Sequence, residues 1–472
     1  MNIKTLSKYA IGAGAVGAIL GGGILGILHL AAAMTTQAAP PAGSPEAKEQ
    51  AHAILQNKCA ACHGASTDTF NPLLNMMSLG MMQRDVEAGQ RGFTLSPDAA
   101  VRSASVDLLK MDQVLVRRHM PPLAYRIMHP GTGLTEQDVT LLRELYGKEA
   151  ADAARYGIIT PAPAPATPQE AAKIRLGKLL YNDPRLSTTN AVSCASCHDL
   201  TKGGTDNLAK SEGVPGADGK PQLGGVNAPT VYNTESNIRQ FWDGRAADLK
   251  EQAGGPPLNP VEMGYAHPED WHKIAGKLAQ SSELRVLFAA AFGDQGITAD
   301  TITEAIAAYE KTLRTPDSAF DLYQKGDKAA LDAAATAGKA AFEQQGCATC
   351  HSGPTLGGQS FEYINTYEDL RALATPSNYT EGAYGLADFT KKDAHKDMFR
   401  VPLLRNVALT APYFHTGSVG KLEDAVRIMI KTQGKESATD ADINNITAFL
   451  KAQTGKLNGK AVDTLSPEDV KP

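Results

Sequence analysis

Residues 193–200 read SCASCHDL, and the Cys194-x-x-Cys197-His198 inside that run recurs as Cys59-x-x-Cys62-His63 and as Cys347-x-x-Cys350-His351. The chain has 472 residues and 6 cysteines, so the three motifs use every thiol it possesses. Two thiols followed by a histidine are what a covalently attached c-type haem requires. The cysteines form thioethers to the vinyl groups, and the histidine ligates the iron. A zinc ribbon needs four ligands per metal, yet no motif has a second ligand pair nearby. A dithiol redox site leaves the trailing histidine unexplained in all three copies. The expectation is three haem c groups, with His63, His198 and His351 as proximal ligands.

One motif per roughly 150 residues suits about three domains. The composition, 42% hydrophobic with 44 Gly and 27 Pro, gives material for packed cores and for long irregular loops around each haem. A net charge of −5 argues against a nucleic-acid partner. Proline-rich and glycine-rich breaks divide the chain. TTQAAPPAGSPE at 35–46 reads as a tether, and TPAPAPATPQ at 160–169 as a semi-rigid spacer. The expected organisation is 1–40 stub, anchor and start of tether, 41–159 a monohaem domain, 160–170 a linker, and 171–330 and 331–472 two further haem domains.

Residues 10–34 contain no Asp, Glu, Lys or Arg, and Lys4 and Lys8 precede them. A helix of that length, at ~1.5 Å per residue, covers a hydrocarbon core of ~30 Å. The lysines place the N-terminus in the cytoplasm and the haem domains in the periplasm, on a single-pass inner-membrane anchor. The competing reading is a cleaved signal peptide, since Ala31-Ala32-Ala33 resembles a cleavage site.

The fold class expected is mainly α: three c-type cytochrome domains behind one transmembrane helix. Thr135 to Asp138 offers a capping-box start, followed by Val139, Leu142, Leu145 and Tyr146 at helical spacing. Ile443, Ile446, Phe449 and Leu450 repeat that spacing near the other end. Gly177-Lys178-x-x-Tyr181 precedes the second motif much as Gly338-Lys339-x-x-Phe342 precedes the third.

Sixth ligands separate an electron-transfer haem from a reactive one. Met120, in His119-Met120-Pro121-Pro122 before the 134–146 helix, is the expected partner of His63, with His119 as the alternative. For the third haem, Met398 and Met429 are both available, and spacing does not decide between them.

From about 170 to 455 the chain resembles the bacterial dihaem cytochrome c peroxidase family, which includes the MauG-type enzymes. The runs that carry this are LGKLLYNDPRLS (176–187), CASCHDLTKGGTDN (194–207), VNAPTVYN (226–233), QFWDGRAADLKEQAGGPPLNPVEM (240–263) and VPLLRNVALTAPYFHTGSV (401–419). With an anchor and an extra N-terminal haem domain, the whole resembles the trihaem quinol peroxidases. The resemblance implies a peroxidatic haem at His198 and a high-potential haem at His351 with Met429 as axial ligand. It implies Glu262 as catalytic acid–base, Gln252 as its support, Trp242 between the core haems, and His415 as support for haem propionates or the calcium environment. It also implies Ca²⁺ held by the Asn227 side chain and the carbonyls of Thr410 and Pro412, a suitable oxygen set for a hard cation.

The expected reaction is reduction of hydrogen peroxide to water. Electrons would come from quinol, or from a periplasmic cytochrome c, through the His63 and His351 haems to the His198 haem, in a chain whose core forms a homodimer. One departure concerns the loop after the second motif, where Val214 stands at the place of a histidine that in many relatives blocks the iron. An open peroxidatic haem follows. The rival readings are a MauG-like oxidase of a partner protein, against which Met429 argues because those enzymes place tyrosine there, and a non-catalytic electron carrier.

Overall fold

The computed structural model describes residues 44–59, 104–117, 133–146, 154–366, 368–373, 384–433 and 438–471. Three helical units follow one another. The first contains α1 (Pro45–Lys58), α2 (Ala104–Arg117) and α3 (Glu136–Tyr146). Ser44 caps α1 by accepting from the Ala47 amide. At α3 the capping box forms as read from the sequence: the Asp138 amide donates to Thr135 Oγ1, and the Thr135 amide donates back to Asp138. Val139, Leu141 and Leu142 then bury against Ala47, Ala51, Leu55 and Leu115. No helix among the described residues is long and apolar enough to cross a membrane, and residues 10–34 lie outside them.

The second unit is built on α4 (Pro168–Tyr181), α5 (Trp271–Leu278), α6 (Ser282–Phe292) and α7 (Ala299–Glu310). The third is built on α8 (Ala333–Gln344), α9 (Leu422–Gln433) and α10 (Asp440–Lys451). The short echo in the sequence is a real structural repeat. Helix α4 lies against α7 at Gly177, where a Cβ would fall 1.8 Å from the carbonyl oxygen of Ala305. Helix α8 lies against α10 at Gly338, where a Cβ would fall 1.8 Å from the carbonyl oxygen of Asn445. Four residues after each glycine an aromatic ring meets one from the closing helix: Tyr181 with Tyr309, and Phe342 with Phe449, both with centroids 5.4 Å apart. Glycine is needed because only a bare backbone lets two helices approach so closely. Each aromatic buried in that contact then contributes about 1.5–3 kcal/mol. The Cys347 motif begins three residues after α8 ends, and the Cys194 motif follows α4 after the short turn Pro184–Leu186, so in both units the motif comes after the first helix of the pair.

Two features cross the expected boundaries. Phe320, on the short helix Ala319–Gln324, already packs in the core of the third unit with Phe449. After α10 the chain returns, and Leu457 and Val462 bury against Tyr181, Leu200 and Tyr232 of the second unit. Strands occur, among the described residues, only as three two-stranded pairs. These are β1 (Glu212–Pro215) with β2 (Pro221–Leu223), β3 (Phe361–Tyr363) with β4 (Met398–Arg400), and β5 (Lys456–Leu457) with β6 (Lys460–Ala461).

Candidate functional site

Cys194–Cys197 form one helical turn that delivers His198 into the second unit. The His198 Nδ1 lies 3.4 Å from the carbonyl oxygen of Gly204, and the His351 Nδ1 lies 3.2 Å from that of Leu356. A carbonyl only accepts, so Nδ1 must carry the proton and Nε2 is left as the ligating atom. Burial pushes both imidazoles toward the neutral form, His351 down to about 4, with carbonyl hydrogen bonds only partly opposing it. Burial also pushes the Cys194 and Cys197 thiols up, Cys197 to about 11. Two cysteines beside a histidine whose Nε2 is left free suit a haem c at both motifs. Cys59 ends α1, while Cys62, His63 and Met120 lie outside the described residues.

The distal side of the second unit is organised by a chain of tight turns. Gln252 sits on the short helix Leu249–Ala253, and the Gly255 amide donates to its carbonyl. Further turns lead to Asn259, whose Nδ2 donates to Glu262 Oε1 at 2.8 Å. Burial raises the Glu262 carboxyl above its ordinary value, while the charge of Arg245 and the Asn259 hydrogen bond oppose the rise. No hydrogen bond joins Gln252 to Glu262 among the described residues.

The β1–β2 hairpin is fastened over this turn. The Val214 amide donates to the Glu262 carbonyl at 3.0 Å, and Gln222 Nε2 reaches the carbonyls of Val214 and Pro260, each at 3.3 Å. Val214 is 4% exposed, in the apolar core with Leu176, Ala253 and Met263. The position expected for a blocking histidine thus holds a packed aliphatic side chain.

Trp242, His415 and Asn227 are brought together. The Trp242 indole donates to the Asn227 carbonyl at 2.9 Å, and the Asn227 amide donates to the His415 carbonyl at 2.8 Å. The Trp242 and His415 rings meet edge to face at 6.2 Å, and Phe399 stacks on His415 at 4.1 Å. The segments that carry the calcium candidates are linked through Asn207 and Leu208. Asn227 Nδ2 donates to the Leu208 carbonyl, and Asn207 Nδ2 donates to the carbonyls of Leu409 and Ala411, which flank Thr410 and Pro412. The Asn227 side-chain oxygen accepts no hydrogen bond among the described residues, so an oxygen donor is available there for a hard cation.

Of the two methionines left open by spacing, Met398 is buried on β4 in a small cluster with Phe361 and Leu386. Met429 is half-buried on α9, one turn after Ala425 and Val426, which pack in the third core.

The third unit also receives α2 of the first. Lys110 pairs with Glu362 at 2.7 Å with side-chain exposures of only 9% and 13%. Thr349 Oγ1, inside the third haem motif, donates to Gln113 Oε1. Asp112 on the same helix binds Arg143 of α3 at 2.9 Å. Sequence reasoning missed this contact, because its partners lie more than two hundred residues apart. It also missed Arg245, whose charge acts on Glu262 from an unremarkable Asp-Gly-Arg turn where it pairs with Asp243, and Arg400, a single charge in the otherwise apolar strand Met398–Arg400.

Residues 171–329 match the family described as di-haem cytochrome c peroxidase, and residues 23–147 match a haem-binding domain. The cytochrome c peroxidase Ccp of Escherichia coli (strain K12) is 37% identical over 438 residues, spanning 87% of this chain and 91% of its own. The cytochrome c551 peroxidase of Pseudomonas aeruginosa is 45% identical over 284 residues, 60% of this chain and 78% of its own. Among solved structures, a MauG-like protein associated with microbial copper homeostasis superposes with a TM-score of 0.53 at 28% identity, over 63% of this chain and 94% of that one.

Proposed function

The chain belongs to the dihaem cytochrome c peroxidase family and is a haem-containing peroxidase, and on that premise we propose that it reduces hydrogen peroxide with three haems, drawing electrons from membrane quinol. When bound, haem c supplies the redox chemistry of O–O cleavage; the chain's own residues supply the proton handling and the electron route.

The observation that carries the peroxidatic role is Glu262. Its carboxylate takes a proton from one peroxide oxygen and returns it to the leaving oxygen. Burial raises its proton affinity, which suits a group that must both accept and donate near neutral pH. Asn259 holds the carboxylate in place, and Gln252 is assigned to bind peroxide or the charge that develops on it. Trp242 and His415 occupy the seam between the core units. With Val214 packed at the position where a blocking histidine would stand, no ligand would come from that loop, and turnover would begin without prior reduction.

The docking of α2 on Cys347–Thr349 supports an electron route from a haem that His63 and Met120 would hold to one that His351 and Met429 would hold. The seam then leads to His198. Overall, one peroxide, two electrons and two protons give two waters. Ca²⁺ at Asn227, Thr410 and Pro412 would tie the two core units. The apolar run 10–34 is assigned to a single-pass inner-membrane anchor with the haem domains in the periplasm, which brings the first haem to the bilayer surface where quinol is found.

The test is peroxide consumption by fully haem-loaded protein with a reduced quinone analogue as sole donor. Sustained turnover that collapses in Glu262→Gln supports the whole reading. Turnover with reduced cytochrome c alone refutes the quinol step and keeps the peroxidase.

A further inference from the structure

Arg400 is 3% exposed on β4, and among the described residues no carboxylate neutralises it. Its Nε donates to the Phe241 carbonyl at 3.1 Å and its Nη1 to Asn237 Oδ1 at 3.0 Å, both neutral acceptors. The remaining guanidinium N–H groups have no acceptor among the described residues. Arg405, also buried, shows the ordinary solution, a 2.7 Å ion pair with Asp321 in which both side chains are 0% exposed. The acid on the neighbouring strand, Glu362, does not serve Arg400. Arg400 pairs across the strands with Phe361 while Glu362 pairs with Phe399, so the two side chains leave opposite faces, and Glu362 is engaged by Lys110. Burial pulls the Arg400 guanidinium down to about 10, with no neighbouring anion opposing the shift.

A guanidinium remains charged at every physiological pH, so it cannot relieve its own burial by losing a proton. A buried cation without a partner is costly, and no described residue supplies the counter-charge, which points to an anion from outside the polypeptide. The location says what that anion is. The Arg400 amide donates to the Trp242 carbonyl at 3.0 Å, and the preceding residue, Phe399, stacks on His415. Arg400 thus bridges the seam between the second and third units, each of which carries a haem motif. Haem c brings two propionate carboxylates, and the planar fork of arginine matches a carboxylate with two parallel hydrogen bonds. We propose that Arg400 is the binding site for a haem propionate at the seam between the two core units, and that its positive charge raises the reduction potential of that haem. A fixed cation beside a haem disfavours the ferric state, which carries one more positive charge than the ferrous state.

This inference rests on haem attachment at Cys194/Cys197 and Cys347/Cys350, which haem content per chain checks separately from any potential. The experiment is a spectroelectrochemical titration of fully loaded wild type, Arg400→Gln and Arg400→Lys. In Arg400→Gln one core haem should lose at least tenfold in its reduction equilibrium, 59 mV for a one-electron couple, while the other two stay put. Arg400→Lys keeps the charge and should stay within threefold of wild type. Its propionate-bending band in the resonance Raman spectrum should nevertheless move, because the bidentate contact is lost. Core potentials unchanged in Arg400→Gln overturn the proposal, as does an equal fall in Arg400→Lys, which would mean packing and not charge. If Arg400→Gln fails to load haem, the Lys variant decides: an unmoved Raman band refutes the contact.

Discussion

Replacing Lys110 by alanine tests whether α2 is held on the third haem unit by a buried ion pair. The pair spans 2.7 Å, and its side chains retain 9% and 13% exposure, so it sits much nearer the buried limit than the surface limit. Removing one partner of a buried pair costs about 3–5 kcal/mol, whereas exposed pairs are worth about 0–1. Taking about 3 kcal/mol for a nearly buried pair, the ratio of undocked to docked forms should rise roughly a hundredfold. Hydrogen exchange reads this directly. Amides of 104–117 and of β3 should exchange roughly a hundredfold faster, while α4 and α7 remain protected. Stopped-flow transfer from the His63 haem to the His351 haem should slow in parallel. The doubly swapped variant Lys110→Glu with Glu362→Lys should recover most of the protection that either single reversal loses. Exchange of α2 within threefold of wild type in Lys110→Ala, or a swapped variant no better than its singles, would refute the reasoning.

Four further substitutions test the geometry. Glu262→Gln should lower kcat/KM for peroxide by about 10²- to 10⁴-fold. In wild type the acid limb of the pH profile should lie above the ordinary carboxylate range, since the base must be ionised and burial raises its pKa. Because Arg245 opposes that rise, Arg245→Gln should move the limb to still higher pH, and a downward move would contradict the assignment. Val214→His should convert the oxidised protein to a low-spin peroxidatic haem that turns over only after reduction, measured by absorption spectra and by the lag before turnover. Gly338→Ala places a Cβ 1.8 Å from the Asn445 carbonyl oxygen. It should destabilise by about 1–3 kcal/mol from overpacking, despite the ~1 kcal/mol that alanine gains over glycine in a helix, and a thermal midpoint at or above wild type would contradict the close α8–α10 contact.

The sequence on its own located the three Cys-x-x-Cys-His motifs and announced the helices near 134–146 and 443–450. Cysteine and histidine spacing is local chemistry, and the helices announce themselves through caps such as Thr135 with Asp138 and stripes such as Ile443, Ile446, Phe449 and Leu450. Resemblance singled out Glu262 and Trp242 from runs that composition alone would have left as loops. Only the tertiary structure showed that Gly177 and Gly338 sit at two equivalent helix contacts, because a glycine's role there depends on a carbonyl more than a hundred residues away. The same holds for the docking of Lys110 on Glu362, for the return of Leu457 and Val462 onto the second unit, and for the solitary charge of Arg400. Burial and pairing are properties of what surrounds a side chain in space. A residue's type fixes the charge it carries, but the packed chain decides whether that charge has a partner.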